Sequence, residues 1–297
     1  MVKYLKLLRT EQWIKNLFVF LPLFFSGNIF HIDLFLKSLF AFIVFSLVAS
    51  AVYILNDYRD IEADRLHPTK QKRPMASGAV SKRRGISILL VILSVAAVLL
   101  AISASLFSLR DYNLHRFAGV IFTYLILNIL YTIKLKHVAI VDVTIISLGF
   151  VLRVMAGGYI TGIFISQWAI LLTFVLALVL AIGKRRGELI NAQITGKTRK
   201  SLDGYNVQFA DIALSISVTL AIVCYLMFTL SPAVQEKFHP RVFYTVIFVV
   251  FAFLRYLQQT LVYNRTESPT KIVYKDHYIQ VTLVLWLVAF LLQIYFK

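Results

Sequence analysis

The sequence predicts an all-α polytopic membrane bundle of nine transmembrane helices, with the N-terminus on the cytoplasmic side. Three observations carry that prediction. Hydrophobic residues make up 59% of the 297 and charged residues only 15%, a balance far from that of water-soluble domains. The apolar residues come in blocks of about 17 to 25, the length an α-helix needs to cross a hydrocarbon core. The basic residues, finally, segregate between alternate loops.

Taken in order, the N-terminal stretch mixes Lys3, Lys6, Arg9, Glu11 and Lys15 with an amphipathic pattern. It has no small-residue cleavage site behind a short apolar run, so it reads as mature chain and not as a cleaved signal. The spans fall near 17–31, which is the shortest, then 34–55, 86–107, 117–133, 138–160, 166–183, 210–231, 241–262 and 278–296. Loops are short except after the second, sixth and eighth spans, which leaves no room for a separate soluble domain. The chain therefore reads as one transmembrane domain, residues 1–297, with motif-bearing cytoplasmic loops near 56–85, 131–142, 183–209 and 263–277.

Nine spans put alternate loops on opposite sides of the membrane. Of the 31 Lys and Arg residues, only Lys37, Arg110, Arg116, Lys237, Arg241 and Lys297 fall opposite the N-terminus, with Arg153 and Arg255 inside spans. A miscounted span would scramble that segregation, so the N-terminus is cytoplasmic by the positive-inside rule. The net charge of +17 follows from this topology, with attraction to anionic lipid headgroups besides. Nucleic acid is not needed to explain it. The single cysteine, Cys224, lies in an apolar block and can form no intrachain disulfide, which suits a small buried hydrophobe.

The densest polar run is NDYRDIEADRLHPTKQKRP, Asn56 to Pro74. If the second span stays helical past Asn56, then Asn56, Asp60 and Asp64 lie at about 0°, 40° and 80° around its axis, and Asp57 at about 100°. These oxygen-bearing side chains share one face, while Arg59, Glu62 and Arg65 point elsewhere. Carboxylates so spaced repel one another, so the face calls for an external cation. Hard oxygen ligands suit Mg²⁺, which keeps much of its shell for water and phosphates; the implied ligand is a diphosphate. The competing reading is a solvated acidic helix end paired with nearby lysines. Pro68 ends the helix by Leu66 or His67.

Other polar groups gather at the same interface. His67, Lys70, Lys72 and Arg73 follow the acidic face, Tyr131, Lys134 and Lys136 follow the fourth span, Asp142 opens the fifth, and GKRRGEL, 183–189, closes the sixth. Helix ends carrying both signs of charge would enclose a pocket for metal, diphosphate and a second anion. Lys82, Arg83 and Arg84 read as plain membrane anchors. Lys184, Arg185 and Arg186 suit phosphate binding or a structural role, with Glu188 spaced to pair with Lys184. Asp142 needs a partner where it sits, and Arg153, deeper still, either braces the bundle or reaches a lipid phosphate. Gly149, Gly157 and Gly158 read as helix-packing residues. His31, His115 and His239 lie on the outer side without metal-ligand spacing.

The NDxxDxxxD run of Asn56, Asp57, Asp60 and Asp64, after the second of nine spans, resembles the UbiA superfamily of intramembrane prenyltransferases over nearly the whole chain. Within it, HPTKQKRP, YTIKLKHVAIVD, GFVLRVMAGG, GKRRGEL and the late RYLQQTLVYNRTESPTKIVYKD are similar to the decaprenyl-phosphate phosphoribosyltransferase branch. Aromatic prenyltransferases usually carry a second DxxxD motif, whereas here Asp142 is followed at i+4 by Ile146. The resemblance implies transfer of 5-phosphoribose from phosphoribosyl diphosphate to a polyprenyl phosphate in an inner membrane, toward lipid-linked arabinose for cell-wall glycan. Mg²⁺ would rest on Asn56, Asp60 and Asp64, with Asp57 as a ligand or support. Asp60, Asp64 and Asp142 become the catalytic candidates, Asp142 for a second metal, the ribose or a proton. Lys70, Arg73, Lys134 and Tyr131 are candidates for the donor, and Lys184, Arg185, Arg186 and Arg153 for phosphate groups. The alternatives are an aromatic prenyltransferase using a prenyl diphosphate and a lipid-phosphate transporter; the oligomeric state stays open, as does whether 190–209 is a lid.

Overall fold

Every described regular element is helical in the structure, a computed structural model that describes residues 2–67, 69–107, 111–195, 202–238, 240–264, 272 and 275–295. Pro68, Arg110, His239, Arg265, Lys271 and the 196–201 stretch of the 190–209 loop lie outside the described residues. In chain order the helices are α1 (Val2–Leu8), α2 (Leu21–Phe25), α3 (Ile32–Arg59), α4 (Ile61–Arg65), α5 (Lys82–Phe107) and α6 (Asp111–Ile133). After them come α7 (Val141–Thr161), α8 (Gln167–Thr195), α9 (Val207–Leu230), α10 (Pro232–Lys237), α11 (Val246–Leu257) and α12 (His277–Tyr295).

Among the described residues, seven helical segments are long and apolar enough to cross a membrane: α3, α5, α6, α7, α8, α9 and the composite Pro240–Val262, which joins a 3₁₀ turn, α11 and a π-helical turn. Helix α12 is apolar but shorter. The first apolar block departs from a regular span: Thr10–Phe20 is 3₁₀ helix, and α2 follows with Pro22 in its first turn. Runs of 3₁₀ helix this long are uncommon, and polar anchors hold this one. Asn16 donates to Ser46 Oγ at 2.9 Å, and Trp13 Nε1 donates to Ser50 Oγ at 3.0 Å. Both serines lie on α3, where their small side chains let the strand of 3₁₀ backbone approach.

Contacts divide the chain into two compact units: Met1–Leu135 with Leu152–Ile165, and Lys136–Val151 with Ser166–Lys297. The first unit is built on α3, whose Ala41, Val44, Phe45 and Val48 pack with Phe117, Ile121 and Tyr124 of α6 and Ala156 and Ile160 of α7. Gly157 is required here, because a Cβ would stand 1.9 Å from the Val19 carbonyl oxygen. A second cluster of Leu7, Ala51, Ile54, Ile61, Met75, Val80 and Ile92 fastens α1, α4, the loop before α5 and α5 itself to the C-terminal end of α3.

In the second unit α8 and α9 pack side by side through Val179, Ile182, Ala210, Leu214 and Val218. The small Ala210 of α9 permits close approach, as membrane helix pairs require where lipid supplies no competing hydrophobic drive. Helix α8 runs to Thr195, well past the expected end at residue 183. The charged segment 184–189 therefore lies inside a helix and not after one.

Candidate active site: two buried charge clusters

The acidic run forms as two helices with one shared face. Asp60, with φ −95° and ψ 8°, ends α3 and starts α4. The ladder carries across it, since Asp60 N–H donates to Asn56 O at 3.0 Å and Asp64 N–H donates to Asp60 O at 2.7 Å. Helical periodicity is thereby kept from Asn56 to Asp64. Helix α4 stops at Arg65 with Leu66 as its cap. Arg65 and Glu62 pair with each other at 3.2 Å on the exposed side.

Asp57 is 1% exposed and Asp64 is 3% exposed, and carboxylates that deep need partners. Arg73 supplies one: its Nη1 lies 2.6 Å from Asp64 Oδ2 and 3.2 Å from Asp57 Oδ1. Arg9 supplies another, its Nη2 donating to the same Asp57 Oδ1 while its guanidinium stacks 5.0 Å from the Tyr53 ring. The acidic face thus carries protein counter-ions, contrary to the expectation that only an external cation neutralises it. Arg9 lies 48 positions before Asp57, and nothing local in the sequence marks it. Arg73 is placed because the loop behind it is fixed: Pro74, Met75, Ala76 and Val80 are buried, and Arg65 Nε donates to Ala76 O at 3.2 Å.

The donor set suits a hard divalent cation through few ligands. Asp57 Oδ2 is buried and accepts no hydrogen bond, so one carboxylate oxygen keeps its lone pairs. Among the described residues no three His, Cys, Asp or Glu side chains converge as a metal cage. Mg²⁺ characteristically needs only one or two carboxylates, with water and substrate phosphates completing its shell, so the residues fit that ion.

The remaining candidates of the first unit are spread over its elements. Lys70 is half-buried in the 3₁₀ turn Lys70–Lys72, its backbone N–H donating to His67 Nδ1 at 3.4 Å. Tyr131 is half-buried and Lys134 exposed at the end of α6. Arg153 is 5% exposed; its Nε donates to Asn16 Oδ1 at 2.7 Å, its Nη2 to Tyr124 Oη at 3.2 Å, and the Phe45 ring lies 5.0 Å away. These contacts brace α7 against the 3₁₀ segment and α6. Lys15 is half-buried nearby, and its ammonium is pushed down to about 8 by burial first and then by Arg153 and Arg9.

The second unit holds the other cluster. Asp142 is 0% exposed and Arg185 is 2% exposed, with Arg185 Nε 2.7 Å from Asp142 Oδ2. Arg185 also bonds Glu188, and Lys184 Nζ stands 3.9 Å from that glutamate. Tyr205 closes the network: its hydroxyl donates to Asp142 Oδ1 at 2.8 Å and accepts from Ile140 N–H at 2.7 Å. Ile140 has φ +68°, an outlier for a β-branched residue. Burial pushes the Tyr205 phenol well up; the Ile140 N–H opposes this and the Asp142 carboxylate adds to it. The hydroxyl therefore stays a donor. Gly204 lets this segment seat, because a Cβ there would be 2.5 Å from Ala139 Cβ.

Arg186 is also buried, bonding Asp211, donating to Thr260 O at 2.7 Å and to Asn264 Oδ1 at 2.9 Å. The Thr260 carbonyl lies in the π-helical turn Gln258–Val262, where irregular backbone bonding frees an acceptor. Arg255 Nε and Gln259 Nε2 reach Asp276 Oδ2 at 2.9 and 2.6 Å, and Asp276 Oδ1 caps Ile279 N–H at 3.0 Å. Sequence reasoning missed Arg9, Tyr205, Asp211 and Asp276 as partners. Only Asp276, an aspartate just before an apolar run, carried a local signal.

Helical membrane segments and an acidic helix junction ringed by cations define the class. The chain matches the UbiA prenyltransferase family over residues 17–282 and belongs to it; it is a multi-pass membrane protein. More particularly, it is 35% identical to a decaprenyl-phosphate phosphoribosyltransferase of Mycolicibacterium smegmatis, across 99% of this chain and 92% of that one. It is 33% identical to the Corynebacterium glutamicum protein of the same name, across 98% of this chain and 86% of that one. Among solved structures, a UbiA homolog from Archaeoglobus fulgidus bound to DMAPP and Mg²⁺ superimposes with a TM-score of 0.67 at 18% identity, covering 98% and 99% of the two chains. That likeness bears out the all-helical UbiA-like fold.

Proposed function

We propose that the chain moves 5-phosphoribose from phosphoribosyl diphosphate to a polyprenyl, decaprenyl-like phosphate and releases diphosphate. The observation that carries this reading is the similarity to the mycobacterial phosphoribosyltransferase over 99% of the chain. We further propose nine crossings with the N-terminus and the acidic motif cytoplasmic, supported by the segregation of Lys and Arg between alternate loops. The lipid product would feed lipid-linked arabinose for cell-wall glycan.

The reaction breaks the bond between the ribose anomeric carbon and the diphosphate oxygen and forms one to an oxygen of the lipid phosphate. Asn56, Asp57, Asp60 and Asp64 would hold Mg²⁺, which neutralises a leaving diphosphate. Arg73 orients Asp57 and Asp64 through its bonds to both. Lys70 and Lys134 hold donor phosphates, and Tyr131 hydrogen-bonds a phosphate or ribose oxygen. The nucleophile is ionised at neutral pH, so no strong general base is needed. Asp142, committed to Arg185 and Tyr205, acts as a support for α8 and not as a base. Lys184 screens the acceptor phosphate from α8, with Arg185 and Arg186 bracing that helix, and Arg153 braces α7. Electrostatic stabilisation of charge developing on the leaving group is the largest contribution expected.

The test is purified protein with labelled phosphoribosyl diphosphate, polyprenyl phosphate and Mg²⁺. Labelled lipid should form, and Asp60→Ala should lose it while still inserting in the membrane. Normal turnover by Asp60→Ala removes the metal assignment. Prenylation of an aromatic acceptor without labelled lipid would overturn the reaction itself.

A further inference from the structure

We infer that Arg9, together with Arg73, makes the buried carboxylate pair of the acidic motif electrically neutral, so that the motif takes a divalent cation well only together with diphosphate. The inference rests on the metal assignment just made. It starts from the charges: Asp57 and Asp64 contribute two negatives at 1% and 3% exposure, and the two guanidiniums bonded to them contribute two positives. A dication approaching that quartet gains no net attraction from it, and of the motif's proposed ligands only Asp60 adds a further negative charge. Diphosphate changes the balance, because its own negative charges meet both the cation and the arginines. Metal and diphosphate then favour each other's binding by one and the same factor.

Arg9 is built into this position. Helix α1 is anchored by Leu7, at 0% exposure, and by Ser50 Oγ donating to Leu8 O at 2.8 Å. Arg9 itself takes the left-handed conformation, φ 50° and ψ 49°, between α1 and the 3₁₀ segment, and its carbonyl accepts from Gln12 N–H at 2.8 Å. A non-glycine residue in that region is uncommon, and here the turn delivers the guanidinium onto Tyr53 and Asp57. Because both arginines converge on Asp57 Oδ1, Oδ2 is left without a hydrogen bond. One oxygen of the carboxylate is thus fixed by protein cations, and the other is buried without a hydrogen-bond donor.

Equilibrium dialysis of the purified full chain against Mn²⁺, with and without inorganic diphosphate, tests the idea by protein-bound metal and not by turnover. Wild type should bind Mn²⁺ at least about tenfold more tightly with diphosphate present. Arg9→Gln should bind Mn²⁺ alone about tenfold more tightly than wild type, a modest size for one unit charge within several ångström of a dication, and should gain less from diphosphate. Arg9→Lys, which keeps the charge, should match wild type. If Arg9→Gln does not fold, Arg73→Gln carries the same expectation. Wild type binding Mn²⁺ equally well with and without diphosphate overturns the inference, as does Arg9→Gln binding Mn²⁺ alone no more tightly. Coupled binding without any labelled lipid product would instead sink the proposed reaction and leave the counter-ion role standing.

Discussion

Replacing Asp142 by Ala leaves Arg185 buried with one carboxylate partner fewer. Asp142 is 0% exposed and Arg185 is 2% exposed, so neither charge can be rehydrated without opening the α7–α8 contact of the second unit. Breaking a buried pair by removing one partner costs about 3–5 kcal/mol. Tyr205 would also lose its acceptor, adding about 1 kcal/mol. At roughly 2–4 °C per kcal/mol for a domain of this size, the midpoint should fall on the order of 10 °C. The chain supplies its own reporter: Cys224 is the one cysteine and is buried in α9 of the same unit, so a thiol-reactive fluorophore in detergent reads unfolding of that unit. Tyr205→Phe keeps the ring and removes the hydroxyl, leaving Ile140 N–H unsatisfied, and should cost about 1–3 kcal/mol. The double variant should cost less than the sum, since both changes strike one network. A midpoint within 2 °C of wild type for Asp142→Ala, taking ~1 kcal/mol as the smallest change worth arguing from, would refute the claim that this ion pair holds the unit together.

Other outcomes follow from single contacts. Gly157→Ala puts a Cβ 1.9 Å from backbone oxygen, which no rotamer relieves, so it should cost about 3 kcal/mol or more and show as reduced folded yield on size-exclusion chromatography. Asp276 has its carboxyl held below the ordinary 3.8: burial alone would raise it, but Ile279 N–H, Arg255 and Gln259 outweigh burial. Its contribution is present above 3.8 and is lost as pH falls toward the lower folded value, so thermal stability should drop in that acid window, and Asp276→Asn should flatten the drop. Lys184→Ala removes an exposed cation whose Nζ stands 3.9 Å from Glu188; it should leave the unfolding midpoint within about 0.5 kcal/mol of wild type while raising the KM for polyprenyl phosphate several-fold in the transfer assay.

How much was legible can be argued from particular residues. The helix over Asn56–Asp64 and its common oxygen-bearing face were readable because periodicity is a local property. That Asp60 sits at a junction, and that Arg9 and Arg73 close on Asp57, was not, since those partners depend on where α1 and the loop carrying the buried Met75, Ala76 and Val80 dock. Arg185 and Arg186 followed an apolar run and looked like interfacial cations. Their burial against Asp142, Glu188 and Asp211 required α8 to continue to Thr195 beside α9. The first apolar block was visible as hydrophobic, yet hydropathy is blind to the Asn16 and Trp13 hydrogen bonds that draw it into 3₁₀ helix.

By itself, then, the sequence determined the things that depend on short-range pattern: apolar segments long enough for a membrane, the asymmetry of Lys and Arg between loops, and a run of oxygen-bearing side chains spaced at the helical period. Only the tertiary structure decided which charges neutralise which. A carboxylate taken from water must find a cation within a few ångström, and the partner it finds, 48 positions away for Asp57 and 43 for Asp142, is chosen by packing and not by neighbourhood in the chain.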